Sequence, residues 1–351
     1  MTARAWSKLR QNWKIPLTPE LIAQRYVAGP MFSTLNWVQA QATAAPRLAV
    51  SLSNCIVILG YWRSGTTLLH DYLSLDSRFA FPSTYACMNP QHFMLTQATA
   101  LRQRPAKLTR RPMDDVEISA GSPQEEEFAL LALGARSPYE GLLVPSRLGE
   151  ALKLGDPLDL TAEESRRWLH TFEYFLRGVS HAAGNRPLVL KSPPHGYRVA
   201  ALRGLLPNVR FALIVRSPAV VYESAVRMWR SLFGLYALGP IPPEEDTRRA
   251  VLDDRLFFES KLTAGLADLP GHRLALVRYE NLASDPIGTV EALYQQLRLE
   301  GFPAVRAAMV DRISQRGSYK ARNARPPAMW QARLRAQWKP IFERYGYDAN
   351  G

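Results

Sequence analysis

The chain has 351 residues, 47% of them hydrophobic and 10% aromatic, which is enough apolar side chain for a sizeable core and excludes a disordered protein. A formal net charge of +13 directs it towards anions: nucleic acid, anionic lipid or a polyanionic small molecule. No stretch approaches the ~20 apolar residues of a bilayer span, and two cysteines, Cys55 and Cys87, are too few for a disulfide framework or a zinc site and suit a reducing compartment.

Residues 1–16 interleave Arg4, Lys8, Arg10 and Lys14 with Trp6, Leu9 and Trp13. The segment lacks the continuous apolar run of a signal peptide. It reads either as a helix on an anionic membrane surface or as a solvated helix packed on the domain. Residues 18–45 predict a helix interrupted near Gly29 and Pro30, with Ile22, Tyr26, Leu35 and Val38 as core contacts. Residues 1–50 are therefore expected to form a helical N-terminal extension.

Residues 55–59 are a run of β-formers, apolar on both faces, as in a buried parallel strand. From Leu68 the spacing turns helical, with Leu68 facing Tyr72 and Leu69 facing Leu73. Between them lies Gly60-Tyr61-Trp62-Arg63-Ser64-Gly65-Thr66-Thr67. A glycine-framed loop that feeds backbone N–H groups into a helix N-terminus binds phosphate, because unpaired amides and the positive end of the helix dipole converge. The spacing is that of a P-loop, G-x-x-x-x-G-K-[ST], but Thr66 occupies the lysine position and the cation sits inside the loop, at Arg63. An NTPase uses that lysine on the β/γ-phosphates, so its loss argues against ATP or GTP hydrolysis.

Further on, residues 79–81 predict a second strand. Ser122-Pro123-Gln124-Glu125 predicts a capping box opening a helix to about Gly134, and Thr161 with Glu164 predicts another, ahead of the stripe Trp168, Phe172, Phe175, Leu176 and Val179. Residues 188–190 read as a strand running into Lys191-Ser192-Pro193-Pro194-His195, and residues 211–215 as a strand delivering Arg216, with Ser217 and Pro218 capping the next helix. A strand over 274–277 precedes a helix opened by Asp285 and Pro286. Strands alternating with helices of ten or more residues predict an α/β fold, a P-loop-like parallel sheet flanked by helices on both faces, in one domain over 1–351. Ligands of such sheets bind at the carboxyl ends of the strands. Arg63, Lys191 and Arg216 all fall on that rim, which implies a ligand with more than one anionic group.

These motifs resemble those of the sulfotransferase family that uses 3′-phosphoadenosine 5′-phosphosulfate (PAPS). Residues 60–69 are similar to its 5′-phosphosulfate loop. The stretch 211–224, with Arg216 at a strand end and Ser224 eight residues on, is similar to its 3′-phosphate segment. Arg278-Tyr279-Glu280-Asn281-Leu282 with Asp285-Pro286 resembles a third conserved stretch. The likeness is greatest to a bacterial branch that includes a mycobacterial menaquinone sulfotransferase and carries the Pro-Gln-Glu-x-Glu-Phe-Ala-Leu segment found here from Pro123 to Leu130. Two departures stand out: Leu68 replaces the adenine-stacking tryptophan of the animal cytosolic enzymes, and Pro193 replaces their histidine base.

The resemblance implies the sulfotransferase fold and transfer of a sulfuryl group from PAPS to a hydroxyl or amine. Arg63 and the amides of Ser64, Gly65, Thr66 and Thr67 would hold the 5′-phosphosulfate, and Arg216 and Ser224 the 3′-phosphate. Lys191 would stabilise charge on the bridging oxygen, where a well-placed donor contributes roughly 3–4 kcal/mol. The base has several candidates. Of three consecutive acids, Glu125 suits the capping box and Glu127, further into the helix, is the preferred base; His92 and His195 compete with it. Arg316 to Lys320 are a candidate nucleotide-closing loop. No metal is expected, because the cations take its electrostatic role. The acceptor is expected to be small and apolar, lipid-like or polyketide-like given the aromatic stretch from Met228 to Tyr236, and the location cytoplasmic with peripheral membrane contact through the basic N-terminus. An atypical P-loop kinase is the alternative enzyme; a basic nucleic-acid-binding protein is the alternative from another class, though no stacking stripe or recognition motif supports it.

Overall fold

The structure, a computed structural model, describes residues 1–44, 49–103, 109–110, 117–315 and 324–348. Its centre is a sheet of β1 (Ile56–Leu59), β2 (Val189–Lys191), β3 (Arg210–Val215) and β4 (Leu274–Arg278), in the order β2-β1-β3-β4 and parallel throughout. The helices that frame it are α1 (Ala3–Trp13), α2 (Gly29–Ala42), α3 (Thr66–Leu73), α4 (Glu127–Leu133), α5 (Ala162–Ala182), α6 (Val199–Leu205), α7 (Pro218–Tyr236), α8 (Glu244–Leu266) and α9 (Pro286–Gln296). After β1 the chain builds β2 on one side and β3 on the other. The carboxyl end of β1 is therefore a topological switch point, where open α/β sheets bind ligands.

Successive strand residues point to opposite faces. Ile56 and Ile58 join Leu69, Leu73, Val290 and Leu293 in one core; Val57 and Leu59 join Phe172, Phe175 and Trp229 in the other. Burial on both faces accounts for the unbroken apolar run of β1. Cys55 and Cys87 are free and buried. The box at Thr161 and Glu164 forms, and the stripe from Trp168 to Val179 is buried. Asp285 caps α9 by accepting from Gly288 N at 2.9 Å.

Several local expectations are corrected. Residues 79–81 form no strand: Ala80 makes a single parallel bridge to Leu188, and Pro82, which has no N–H to give a ladder, follows. The helix after residue 18 is not broken at Gly29 and Pro30. Pro19–Ala23, a π-helical turn Gln24–Ala28 and α2 run on continuously, through Gly29 and Pro30. Its expected core contacts Ile22, Tyr26 and Val38 are exposed. The box at Ser122 does not form; α4 begins at Glu127, its N-cap Glu126 makes no side-chain capping bond, and Ser122 Oγ accepts from Ser119 N instead. Of the stretch 228–236, Met228, Trp229, Leu232 and Phe233 are core, so it carries no argument about an acceptor.

The basic N-terminal segment is a helix packed on the body. Trp6, Leu9 and Trp13 of α1 are buried with Ile15, Leu21 and Ala151, and Lys8 pairs with Glu163 at 3.0 Å. The apolar face that membrane contact through this segment required is therefore occupied. Among the described residues no helix is long and apolar enough to cross a membrane.

Candidate active site

The loop from Gly60 to Thr67 leaves β1 and turns into α3 at the switch point. Two glycines shape it. A Cβ on Gly60 would sit 2.5 Å from Ser64 Oγ and 2.8 Å from Ile214 O; Gly65 has φ +101°, and its Cβ would meet Tyr279 Cδ2 at 2.4 Å. Arg63 also lies in the left-handed region, at φ 72°, an unusual conformation for a residue with a side chain. Ser64 is buried and holds the turn, with N and Oγ both donating to Tyr61 O, at 3.1 and 2.8 Å. Thr66 and Thr67 begin α3, so their amides lie at the positive end of the helix.

The second expected segment meets this loop. β3 pairs directly with β1, bringing Arg216 beside it. Arg216 Nη1 donates to Arg63 O at 3.3 Å, and Arg63 Nε to Ser224 Oγ at 3.0 Å. The guanidinium of Arg216 lies 4.1 Å from the centre of the Tyr279 ring, the same ring that packs on Gly65. Glu280 accepts from Ser217 N at 3.2 Å. Sequence reasoning quoted Tyr279 and Glu280 without a role; they fasten the two expected phosphate sites together.

Lys191 ends β2 in register with Ile58 and is 1% exposed. Its Nζ donates to Glu125 Oε1 at 2.6 Å, and the other carboxylate oxygen of Glu125 accepts from the hydroxyl of Tyr139. Trp62, within the loop, donates through Nε1 to Tyr139 Oη at 3.3 Å. Burial and the neighbouring Glu125 raise the Tyr139 phenol well above its usual pKa, so it stays a proton donor to that carboxylate. Trp62, Tyr139, Glu125 and Lys191 thus form one chain from the loop to the strand end. Trp62 and Tyr139 escaped sequence reasoning, since an aromatic in a loop has no signature of its own.

The three acids diverge as a helical start requires, but the roles expected of them change. Glu125 precedes α4 and faces Lys191, not a helix N-terminus. Glu127, the base preferred from sequence, is fully buried, paired with Arg198 Nη2 at 2.6 Å and bonded to Ser137 Oγ at 2.6 Å, while Arg198 is stacked 4.7 Å from the Trp168 ring centre. With both oxygens held in the core, Glu127 is architecture. Glu126 is buried in contact with His195; burial opposes its ionisation, but the charge and hydrogen bond of His195 outweigh this and hold the carboxyl below its usual range. His195 is 0% exposed and faces Glu126. His92 bonds through Nδ1 to Thr96 Oγ1 at 2.9 Å and packs edge-on against Tyr85, and burial lowers its pKa. Its hydrogen bond and ring contact tie it to Thr96 and Tyr85 and not to Lys191 or the loop. The stretch from Arg316 to Lys320 lies outside the described residues. Among the described residues no group of three or more His, Cys, Asp or Glu is placed to hold a metal ion.

Residues 55–304, which include the loop, the lysine, the arginine–serine segment and Tyr279, match the Sulfotransferase family. The chain belongs to the sulfotransferase family. It is 31% identical over 293 residues to omega-hydroxy-beta-dihydromenaquinone-9 sulfotransferase Stf3 of Mycobacterium bovis and of Mycobacterium tuberculosis, an alignment covering 84% of this chain and 75% of the relative. Its fold matches sulfotransferase STF9 from Mycobacterium avium with a TM-score of 0.70 at 14% identity, covering 98% of this chain and 96% of that one. It also matches sulfotransferase STF1 from Mycobacterium tuberculosis H37Rv with a TM-score of 0.63 at 17% identity, covering 95% and 90%. This sulfotransferase therefore has the α/β fold expected of the family.

Proposed function

We propose that the protein transfers the sulfuryl group of PAPS to the hydroxyl of a small apolar acceptor, with Glu125 as the base. The observation that carries this reading is the Lys191–Glu125 pair, 2.6 Å apart at the end of the strand beside the glycine loop. It sets a cation and a carboxylate side by side where a leaving phosphate and an incoming alcohol would meet.

Arg63 and the amides from Ser64 to Thr67 bind the 5′-phosphosulfate in the cradle that Gly60 and Gly65 keep open. Arg216 and Ser224 bind the 3′-phosphate. Glu125 accepts the proton of the acceptor hydroxyl as its oxygen bonds to sulfur. The bond from sulfur to the bridging oxygen breaks in line, and Lys191 neutralises the charge gathering on that oxygen as adenosine 3′,5′-bisphosphate leaves. Lys191 donates to Glu125. Donor binding draws the ammonium towards phosphate and releases the carboxylate for the alcohol.

An apolar, quinone-like alcohol is the acceptor class we favour, because the mycobacterial relative named for a hydroxylated menaquinone covers most of this chain. Incubating the protein with radiolabelled PAPS and a bacterial lipid extract, with EDTA present, tests the reading. Label should move into an organic-soluble product with wild type and not with Lys191→Ala. Transfer that requires added magnesium, or label confined to water-soluble products, contradicts it.

A further inference from the structure

A helical rod runs over residues 19–42. From Val27 to Ala42 it carries no charged residue. Yet Tyr26 is 62% exposed, Val27 71%, Met31 52% and Trp37 64%, with Ile22 and Val38 also in solvent. A helix that is apolar around most of its girth is normally buried, and clustered exposed apolar groups of this kind mark an interaction site. The rod is fastened at few points. Leu21 enters the small core under α1, Gly29 lies against Ala3, and Gln39 is buried, donating to Pro90 O at 2.9 Å and Tyr174 Oη at 3.1 Å while accepting from Met94 N at 2.9 Å. These contacts fix its position and leave Tyr26, Val27, Met31 and Trp37 outward.

What covers it is indicated by charge. α1 packs alongside, with Ala3 N donating to Ser33 Oγ at 3.0 Å, and contributes the exposed Arg4 and Lys14; Arg25 lies 5.3 Å from the centre of the Tyr26 ring. A rod uncharged from Val27 to Ala42, with Arg25 near its start and the basic helix α1 packed alongside, on a chain of net charge +13, complements an anionic bilayer surface. A second copy of the chain would bring like charge to the same border. We propose that this rod lies in the headgroup–acyl boundary of an anionic membrane, holding the protein on the bilayer without crossing it. The inference does not depend on the identity of the base or acceptor.

The test is co-sedimentation of the full chain with vesicles of phosphatidylcholine alone and of phosphatidylcholine with phosphatidylglycerol, alongside light scattering for self-association. Binding should favour the anionic vesicles and weaken with salt. The double variant Val27→Ser, Trp37→Ser should lower the partition coefficient about tenfold or more, since two large apolar side chains leave the interface, while affinity for adenosine 3′,5′-bisphosphate, the check on folding, is unchanged. Absence of vesicle binding, binding that the double variant leaves intact, or a wild-type dimer that the same variant dissociates would each overturn the proposal; the last would assign the face to a second copy.

Discussion

At the scale of single residues, the acidic triplet shows how position along a turn divides labour. Glu125, Glu126 and Glu127 are neighbours in sequence, yet they meet Lys191, His195 and Arg198 in turn. A positioned base contributes 10²–10⁴-fold, so Glu125→Gln should reduce turnover within that range while nucleotide affinity holds or rises, because Lys191 is no longer shared. Glu127→Gln should act on stability. It strips the charge from a fully buried pair with Arg198, a loss of up to about 3–5 kcal/mol, and the nucleotide site of the surviving folded protein should be intact. Chemical denaturation and single-turnover kinetics on the two variants separate these outcomes. Equal turnover of Glu125→Gln and wild type would remove Glu125 from the chemistry.

At the scale of elements, the loop and its neighbours form one unit. Gly65→Ala places a Cβ on the Tyr279 ring and in a left-handed backbone. Calorimetry should show a loss of nucleotide affinity of tenfold or more. The parts of this unit that sequence reasoning reached were those with local signatures. The strand–glycine–helix pattern located the loop, the apolar runs located β2 and β3, and the residue at each strand end followed from them. What it missed depended on long-range packing. The capping box at Ser122 had the right letters, but the carboxylate it required found a stronger partner 66 residues away, in Lys191. That displaced the start of α4 by a few residues and turned Glu127, not Glu125, into the core. Ile22, Tyr26 and Val38 had helical spacing, which states that a face exists and not what it faces.

At the scale of the whole molecule, α8 ties the site's two loops together through a buried acid. Asp254 accepts from Tyr61 Oη at 2.8 Å and from Tyr197 Oη at 2.7 Å, one tyrosine in the glycine loop and the other following the lysine strand. Burial pushes its carboxyl up to about 7, against the pull of the two phenols. The folded protein therefore holds this proton more tightly than the unfolded chain does, and Asp254 subtracts stability progressively as pH rises from about 4 to about 7. Asp254→Asn removes that slope. Relative to wild type, the variant should gain on the order of a few kcal/mol between these limits, read as a difference in unfolding free energy at matched pH. A difference that stays flat from pH 4 to 8 would mean that Asp254 is ionised throughout.

The claim on which the rest stands is that the rim of this sheet recognises a nucleotide carrying phosphates at both the 3′ and 5′ positions, through Arg216 with Ser224 and through the loop around Arg63. Isothermal calorimetry of adenosine 3′,5′-bisphosphate against adenosine 5′-phosphate measures it directly. Wild type should prefer the bisphosphate by tenfold or more, and Arg216→Ala should erase most of that preference, since a charge-assisted hydrogen bond contributes about 1.5–3 kcal/mol. Equal affinity of the wild-type protein for the two nucleotides would contradict the account.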